Sequence, residues 1–575
     1  MSWDAEALVI GSGFGGSILA CRLAREWPGQ VIVIERGKRY GMGDFPRSPQ
    51  AMAKNFFTVE PNKDFRVNRP AFVPSRQLTG LFDIRTYSNM DVVQAAGVGG
   101  GSLIYANVFM IPPVEVFDER WPANTKRADL MPYYRIAQSV LGARTTPTAG
   151  ASDLKRSVLR TRYFQDAAGA MGRKSELATI MVNFGPEGNE GQPGLQKTNI
   201  YGAFQSSCNY CAECDVGCNT LAKNSVDRNY LHVAEHHHGA RIFTEHLAYK
   251  IIPLNEGGDE DLSAGGMFGY LVSVQDLTQT EIKQFRVKRV VLSGGTLNTN
   301  ELLLRCRDHF KTLSRVSPRL GHGFSANGDF LSFIVDAKVP AEPNYGPVIT
   351  QRIDFNLFEN FKRGEGFMMQ DASYPVFLAW FIEGQKPFIF KLKSIWYFMR
   401  GLIKTILRRQ SPGRMGYLMT KLLGDDLSYH TSVHLCMGQD ASDGKIYLSK
   451  SKTLELDWPA KNSKPLYDAI DKAMKEFRKV VEGRYMFHLP TFNWPFKRNV
   501  TVHPLGGCAL GENAQTSVTD SKPSRYGAVH GYHNLYVADA SLIPSAVGAN
   551  PAATISALAE RVAEGITGKL PTTDI

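Results

Sequence analysis

The chain has 575 residues, of which 43% are hydrophobic and 21% charged, a balance that predicts a globular protein of more than one domain and excludes a disordered chain. Its formal net charge of +11 comes from Lys and Arg spread along the sequence without a nucleic-acid-binding motif, so no nucleic-acid partner is expected. The sequence has neither a secretory signal pattern nor a candidate membrane-spanning segment, which predicts a cytoplasmic protein and leaves a peripheral membrane contact open.

The N-terminal segment has the pattern of a dinucleotide-binding βαβ unit. Apolar residues at 5–10 predict a buried strand, residues 17–26 predict a helix, and the β-branched run at 31–34 predicts a second strand that ends at Glu35. The turn after the first strand has GxGxxG spacing, formed by Gly11, Gly13 and Gly16. Such glycines let a pyrophosphate approach the backbone, and a carboxylate at Glu35 can bind ribose hydroxyls. The unit therefore predicts a dinucleotide site without choosing between NAD and FAD.

Later segments extend this pattern. A second glycine cluster occupies 97–103, and an apolar run at 290–292 enters a glycine turn and a helix around 301–304. Near the C-terminus, residues 536–541 and 548–551 precede a further helix. These segments together resemble the glucose–methanol–choline (GMC) oxidoreductases, and within them the cholesterol-oxidase-like branch. The resemblance implies an enzyme that binds FAD and oxidises a small-molecule alcohol by passing hydride to the flavin.

The resemblance assigns cofactor contacts to residues of this sequence. Gly11, Gly13, Gly16 and Glu35 would hold the ADP half of FAD. The loop of Gly99, Gly100, Gly101 and Ser102 would pass beside the flavin and the pyrophosphate.

The C-terminal segments supply the remaining contacts. Asp539 would bind near the ribityl chain or the pyrophosphate. Asn550 and Pro551 would begin a helix whose N-terminal dipole faces the flavin and favours negative charge there. Family members place an asparagine three residues after the serine of the glycine loop, where this chain has Tyr105, so Asn107 is the candidate for that contact.

His503 and Asn550 are the catalytic candidates. His503 lies in segment 502–508, which resembles the family's active-site histidine block, and it would take the hydroxyl proton while hydride leaves the carbon. Asn550 would donate a hydrogen bond to the same oxygen. The alternative for His503 is a buried histidine bonded to the backbone. Glu383 is a further candidate, because cholesterol oxidases also use a glutamate from the substrate domain.

Four of the eight cysteines lie in one short stretch with CxxCxxCxxxC spacing, namely Cys208, Cys211, Cys214 and Cys218. This bacterial ferredoxin spacing predicts an iron–sulfur cluster of 4Fe–4S or 3Fe–4S type, although Asn219 replaces the usual proline. A zinc site and a loop braced by thiols or disulfides are the alternatives. The remaining cysteines are predicted to be small core residues: Cys21, Cys306, Cys436 and Cys508.

The cluster decides how electrons would leave the flavin. With a cluster, the enzyme would be a dehydrogenase that exports electrons to a quinone or an acceptor protein, as related two-subunit dehydrogenases do. Without one, it would be an oxidase that uses O₂ at the flavin. A non-redox flavoprotein of the isomerase or hydratase type and an electron-transfer subunit are the other function classes.

The predicted fold class is α/β. We expect a discontinuous FAD-binding Rossmann-like domain from 1–115, 225–335 and 498–575, and a substrate domain with an antiparallel sheet from 116–224 and 336–497.

The substrate domain would contain the Cys-rich insert 208–218 and a basic amphipathic segment at 387–409. That segment has no acidic residue and fits either a membrane surface or an ordinary domain helix. Its aromatic surroundings favour an apolar or sterol-like alcohol. The triplet 236–238 predicts a solvated helix C-terminus rather than a metal site.

Overall fold

The computed structural model describes residues 3–60, 65–147, 158–186, 192–279, 281–375, 396, 399–404, 407, 427–488 and 498–575. Glu383 and most of segment 387–409 lie outside these residues. The α-helices of the described part are α1 (Phe14–Glu26), α2 (Pro49–Lys54), α3 (Arg127–Val140), α4 (Leu159–Ala170), α5 (Tyr230–His236), α6 (Gly295–Leu304), α7 (Lys464–Val480) and α8 (Ala552–Thr567).

The β-strands are mostly short and belong to several sheets. In chain order they are β1 (Ala5–Ile10), β2 (Val31–Ile34), β3 (Phe82–Thr86), β4 (Met90–Ala95), β5 (Arg144–Thr145), β6 (Ser175–Leu177), β7 (Thr179–Ile180), β8 (Gln196–Thr198), β9 (Phe204–Ser206), β10 (Arg241–Phe243), β11 (His246–Pro253), β12 (Tyr270–Asp276), β13 (Ile282–Leu292), β14 (His322–Phe324), β15 (Phe330–Val335), β16 (Gln351–Phe355), β17 (Phe367–Ala372), β18 (Ser432–Gly438), β19 (Gly444–Leu448), β20 (Leu454–Asp457), β21 (Tyr485–His488), β22 (Asn499–Thr501), β23 (Leu510–Gly511), β24 (Thr519–Asp520) and β25 (Leu535–Val537).

The first large sheet is the dinucleotide-binding sheet. Its strand order is β10-β2-β1-β13-β12-β11, and β25 also pairs with β13. The pairs that join β10, β2, β1, β13 and β25 are parallel, whereas β11, β12 and β13 pair antiparallel. Strand β2 is buried along its whole length, which explains its unbroken run of Val and Ile. Helix α1 packs against α5 and α8 and is buried on most sides.

The second large sheet is antiparallel, with strand order β21-β15-β18-β17-β16-β6. Side chains alternate between its two faces. On β15, Phe330 and Ile334 pack in the core that also holds residues of α4 and α7. Leu331 and Phe333 point to the opposite face, which borders a large cavity. This sheet supplies the wall of the candidate active site.

The fold confirms the predicted α/β class with a Rossmann-like unit and an antiparallel sheet. Strands β1 and β2 have the predicted bounds, but α1 begins at Phe14 rather than at residue 17. The earlier start follows from the glycine turn, because the Gly13 carbonyl already accepts the Ser17 N–H at 2.9 Å. The cysteines predicted for the core are all buried and free: Cys21, Cys306, Cys436 and Cys508. Within the described ranges, none of the helices has the length and apolar character needed to cross a membrane.

Candidate active site

A cavity of about 1460 Å³ runs from the glycine turn after β1 to the antiparallel sheet. Typical sites for drug-sized ligands enclose roughly 300–1,000 Å³, so this cavity has room for a larger ligand and a second molecule. One end is lined by glycines and polar residues, and the other is lined by aliphatic and aromatic side chains. The two ends are described separately below.

The glycine turns form the floor of the polar end. Gly11 has a φ of 101°, and a Cβ there would lie 2.3 Å from the Ser293 carbonyl oxygen. A Cβ on Gly16 would lie 1.9 Å from the Gly11 carbonyl oxygen, and a Cβ on Gly100 would lie 2.6 Å from the Gly13 Cα. Only glycine allows these segments to pack so closely. The start of α1 therefore faces the cavity with its backbone uncovered, a geometry that fits the pyrophosphate of FAD.

Glu35 and Arg36 lie at the edge of the polar end, where β2 ends. Glu35 accepts hydrogen bonds from the Ser12 hydroxyl at 2.6 Å and from the Gly37 N–H at 2.9 Å. Arg36 pairs with Asp83 at 2.8 Å, while its second terminal nitrogen is buried without a hydrogen-bond partner. Such an orphaned donor fits a polar ligand, so Arg36 is a binding candidate that the sequence analysis missed. The sequence offered one indication of this role, since Arg36 directly follows Glu35, the acidic residue of the dinucleotide-binding motif.

The residues of the loop at 99–102 fall into two groups, one that lines the cavity and one that holds the loop in place. Gly100 and Gly101 line the cavity, as a cofactor contact requires. Gly99 and Ser102 are not among the lining residues, and they hold the loop instead. The Gly99 N–H donates to the Ser12 hydroxyl at 3.1 Å, and the Ser102 hydroxyl accepts the Val226 N–H at 3.1 Å.

Asn107 is not among the residues that line the cavity, although its neighbours Tyr105, Ala106 and Val108 are. It is fully buried with a φ of 69°, and neither the oxygen nor the nitrogen of its side-chain amide has a hydrogen-bond partner. Its amide lies near the Cys214 thiol. Burial raises the pKa of that thiol, and the Lys223 ammonium and the Asn107 amide oppose the increase. A buried amide without partners can accept and donate to a polar ligand, so the cofactor contact of Asn107 stays a prediction.

Asp539 lines the cavity, but its oxygens are already hydrogen-bonded within the protein. One oxygen accepts the Gly295 N–H at 2.9 Å and the Thr299 hydroxyl at 2.5 Å. The other accepts the N–H and hydroxyl of Ser541. Burial raises the pKa of the Asp539 carboxyl, and these hydrogen bonds lower it by less than burial raises it. Asp539 therefore fastens the glycine turn before α6 to the segment after β25.

Asn550 and Pro551 line the cavity just before α8, as predicted. The Asn550 side-chain oxygen accepts a hydrogen bond from Gln370 Nε2 at 2.9 Å. Gln370 lies on β17 and is fully buried. Because the oxygen is engaged, the Asn550 NH₂ group is the part of the amide that can donate to a ligand. The sequence analysis missed Gln370, since nothing local connects it to residue 550.

His503 follows β22 and also lines the cavity. Its Nδ1 lies 2.8 Å from Asp329 Oδ1, and its side chain is 15% exposed. Among the described residues, no hydrogen-bond partner of Nε2 is found, so this nitrogen is the one available to a ligand. The structure thus gives His503 a side-chain carboxylate partner, in place of the backbone bond considered as the alternative. Asp329 is a further residue that the sequence analysis did not identify.

The other end of the cavity is apolar. Its wall is formed by the exposed face of the antiparallel sheet and by neighbouring segments, through Leu331, Phe333, Tyr374, Val433, Leu435 and Phe487. The rings of Phe333 and Phe487 stack with their centroids 5.2 Å apart. Asp336 and Arg484 also line the cavity, and their side chains are about half exposed. A ligand between His503 and this wall would exchange water for hydrocarbon contacts.

The four-cysteine loop lies beside the cavity. Cys208, Cys211, Cys214 and Cys218 are free thiols, and the Ala222 N–H donates to the Cys218 sulfur at 3.2 Å. Lys223 anchors the loop, because its ammonium donates to the carbonyl oxygens of Leu103, Tyr105 and Cys214. In the part of the chain that the structure describes, no three Cys, His, Asp or Glu side chains are arranged to hold a metal ion. The iron–sulfur expectation therefore receives no support from the side-chain arrangement.

The triplet 236–238 ends α5, as predicted, and Gly239 follows with a φ of 71°. In the basic segment 387–409, the structure describes residues 396, 399–404 and 407, and four apolar side chains among them are exposed: Trp396, Met399, Ile403 and Leu407.

Comparison with known proteins supports the resemblance seen in the sequence. Two family models, both described as GMC oxidoreductase, match residues 6–307 and 440–559. A cholesterol oxidase of Acinetobacter baumannii is 28% identical, and the alignment covers 99% of this chain and 95% of that protein. A cholesterol oxidase of Mycobacterium tuberculosis is 29% identical, with 98% of this chain and 91% of that protein covered.

More distant relatives also align over nearly the whole chain. A long-chain-alcohol oxidase of Arabidopsis thaliana is 23% identical over 98% of this chain and 68% of its own length. Among solved structures, the pyridoxine 4-oxidase from Mesorbium loti superposes with a TM-score of 0.59 at 14% identity, covering 98% of this chain and 99% of that one. At this identity the superposition establishes a shared fold.

Proposed function

The chain belongs to the GMC oxidoreductase family and is an FAD-dependent enzyme acting on CH–OH donors, and on this premise we propose that its donor is an apolar alcohol of the sterol or long-chain class. The observation that carries the proposal is the apolar wall of the cavity that His503 also lines, formed by side chains such as Leu331, Phe333 and Val433. A polyol would leave its hydroxyls without partners against this wall, whereas a hydrocarbon skeleton gains from burial there. The relatives named as cholesterol and long-chain-alcohol oxidases point to the same class.

We assign the polar end of the cavity to FAD. The ADP half would lie on Gly11, Gly13 and Gly16 near Glu35, and the flavin would lie toward Gly100, Gly101 and Pro551. When bound, FAD supplies the acceptor for the hydride. Gly99, Ser102 and Asp539 would act by holding the loops around the cofactor, and the buried amide of Asn107 would offer its unpartnered atoms to a ligand. This assignment agrees with the proposed division into an FAD domain (1–115, 225–335 and 498–575) and a substrate domain (116–224 and 336–497).

His503 and Asn550 would carry the chemistry of the alcohol. The free Nε2 of His503 takes the hydroxyl proton, and the Asn550 NH₂ group donates a hydrogen bond to the same oxygen. The hydrogen on carbon leaves as hydride with both electrons of its bond. The electron pair of the former O–H bond becomes the second bond of the carbonyl product, so charge and electrons balance.

Anaerobic flavin reduction tests the substrate class directly. We expect a sterol or a long-chain primary alcohol to bleach the flavin absorbance near 450 nm, as flavins do when reduced, whereas glucose and glycerol at the same concentration leave it unchanged. Faster reduction by a polyol would contradict the apolar assignment. No reduction by any alcohol would favour the non-redox flavoprotein alternative.

We propose O₂ as the electron acceptor, because the relatives that align over most of this chain are named oxidases. The second candidate is a dehydrogenase that exports electrons through an iron–sulfur cluster at Cys208, Cys211, Cys214 and Cys218. The cysteine spacing favours it, as does the position of the loop, since Asp215 of the loop lines the cavity.

Two assays separate these acceptors. An oxidase is expected to form one H₂O₂ per alcohol consumed and to lack iron and acid-labile sulfide after anaerobic purification. Roughly three or four irons per chain would instead support the cluster. In that case Cys211→Ser would remove the cluster absorbance and leave flavin reduction by alcohol intact. A quinone or a protein acceptor would then replace O₂.

A further inference from the structure

Asp329 is held in a rigid turn next to the candidate base. The turn spans 325–329 between β14 and β15, and the buried carboxylate of Asp440 fixes it from inside. Asp440 accepts hydrogen bonds from the Ser325 hydroxyl at 2.7 Å, from the Ala326 N–H at 2.7 Å and from the Gly328 N–H at 3.3 Å. A Cβ on Gly328, whose φ is 64°, would lie 2.5 Å from the Gly438 carbonyl oxygen. The position of residue 329 is therefore set by the turn.

The carboxylate of Asp329 binds the whole segment that carries the candidate base. Its Oδ2 accepts the Val502 N–H at 2.9 Å, the His503 N–H at 3.2 Å and the Thr501 hydroxyl at 2.9 Å. Its Oδ1 lies 2.8 Å from His503 Nδ1. Asp329 is only 2% exposed, so these contacts are shielded from water. The carboxylate thus fixes both the backbone and the ring of His503.

We propose that Asp329 is a positioning residue that sets the tautomer of His503 for the reaction. An ionised carboxylate can only accept hydrogen bonds, so the neutral imidazole must carry its hydrogen on Nδ1. The lone pair is then on Nε2, the nitrogen that faces the cavity. When Nε2 takes the hydroxyl proton, the imidazolium forms against a fixed negative charge. The inference rests on the proposed role of His503 as the base.

Asp329→Asn tests the tautomer with an isosteric change. The amide oxygen must stay toward the Val502 and His503 N–H groups, because two backbone donors cannot face an NH₂ group. The amide NH₂ then points at His503 Nδ1 and donates to it, which places the ring hydrogen on Nε2. We expect FAD to remain bound and its reduction by alcohol to slow by roughly a hundredfold to ten-thousandfold, the range seen when a histidine base is held in the wrong tautomer.

The matched control is Asp520→Asn. Asp520 is a buried carboxylate that, like Asp329, accepts a backbone N–H on one oxygen, from Lys522 at 2.9 Å, and faces a side-chain nitrogen with the other, Nε of Arg525 at 3.2 Å. It touches neither His503 nor the 325–329 turn and is not among the residues that line the cavity. We expect this variant to melt at a lower temperature and to reduce its bound flavin at the rate of the unmodified enzyme, because distant and independent sites do not couple. An equal loss of rate in Asp329→Asn and Asp520→Asn would overturn the proposal.

A double variant separates positioning from general support of the fold. If Asp329 acts only through His503, adding Asp329→Asn to His503→Ala produces no further loss of reduction rate. If the double variant reduces its flavin more slowly than His503→Ala, by the same factor that Asp329→Asn causes alone, the proposal is overturned. Unchanged reduction in His503→Ala alone would contradict the proposed base rather than the positioning role. If Asp329→Asn does not retain FAD, Asp329→Ala is measured with and without added formate, and failure of formate to restore the rate counts against Asp329.

Discussion

The glycine turn and the candidate reacting groups of the cavity are built in different ways. At the polar end, Gly11 and Gly16 lie close together in one stretch of chain, and their GxGxxG spacing predicts the turn. His503 and Asn550 instead contact Asp329 and Gln370, which lie 174 and 180 residues away in the chain. The comparison teaches that a glycine turn can be recognised from local spacing, whereas the orientation proposed for the candidate reacting groups comes from partners on distant strands and turns.

If FAD binding at the polar end depends on the close packing of backbone at the glycine turn, a single added methyl group should abolish it. Gly16→Ala places a Cβ 1.9 Å from the Gly11 carbonyl oxygen, so the turn must open or the helix must shift. We expect loss of FAD binding and a destabilisation of about 1–3 kcal/mol or more, measured by flavin absorbance per protein and by thermal unfolding. Gly169→Ala is the control, because a Cβ at this helical glycine meets no atom within 4 Å. Normal FAD content in Gly16→Ala would break the comparison.

His503→Ala tests whether the candidate base takes part in the chemistry without contributing to cofactor binding. We expect the oxidised flavin spectrum to persist while anaerobic reduction by alcohol slows at least about a hundredfold, since a general base contributes that much or more. His434→Gln is the control: burial lowers the pKa of His434 to about 3, and its ring bonds the Ser432 hydroxyl at 2.8 Å, away from the cavity lining. That variant should lose stability and keep its reduction rate. If His503→Ala keeps its reduction rate while His434→Gln loses it, His503 has a structural role only.

Gln370→Met asks whether a distant partner orients Asn550. The substitution keeps the side-chain volume but leaves the Asn550 oxygen without its donor, so the amide can rotate. We expect flavin reduction to slow about tenfold, the effect of losing roughly 1.4 kcal/mol of hydrogen-bond orientation in the transition state. Gln351→Met makes the same buried change on the neighbouring strand β16 without touching Asn550. Equal rates in both variants would remove Gln370 from the site.

Asp215→Asn gives the smallest expected effect and tests a carboxyl group of the four-cysteine loop that lines the cavity. Burial raises the pKa of the Asp215 carboxyl from 3.8 to about 6. Because its folded-state pKa is raised, the contribution of Asp215 to stability is complete below about pH 4 and is lost as the pH rises through 6. We therefore expect Asp215→Asn to melt a few degrees above the unmodified protein at pH 7.5 and to lose this advantage near pH 4. The control is Glu256→Gln, the change of a carboxyl to an amide at an exposed position, which should melt at the same temperature as the unmodified protein at pH 7.5.

The same contrast explains which residues the sequence predicted. Gly11, Gly13 and Glu35 line the cavity, because their spacing on a strand, turn and helix fixes where they lie. Asn107 is predicted at the cofactor and is not among the lining residues, and the spacing could not reveal that its amide is buried without a partner. Arg36 was missed although it follows Glu35 directly, since a charge beside a motif does not show whether its nitrogens find partners. The cysteine spacing remains a prediction whose ligand only the iron and sulfide assays will identify.

The sequence by itself determined the βαβ unit, the family and the choice of His503 and Asn550 as reactive candidates, because each rests on short motifs that can be recognised one by one along the chain. Only the tertiary structure decided that Asp329 and Gln370 contact these two residues, that Asp539 fastens two turns, and that an apolar sheet face borders the cavity. These features depend on the pairing of β15, β17 and β18 and on the turn at 325–329. Hydrogen bonds and packing between distant segments leave no periodic trace in the sequence, which is why they had to be observed.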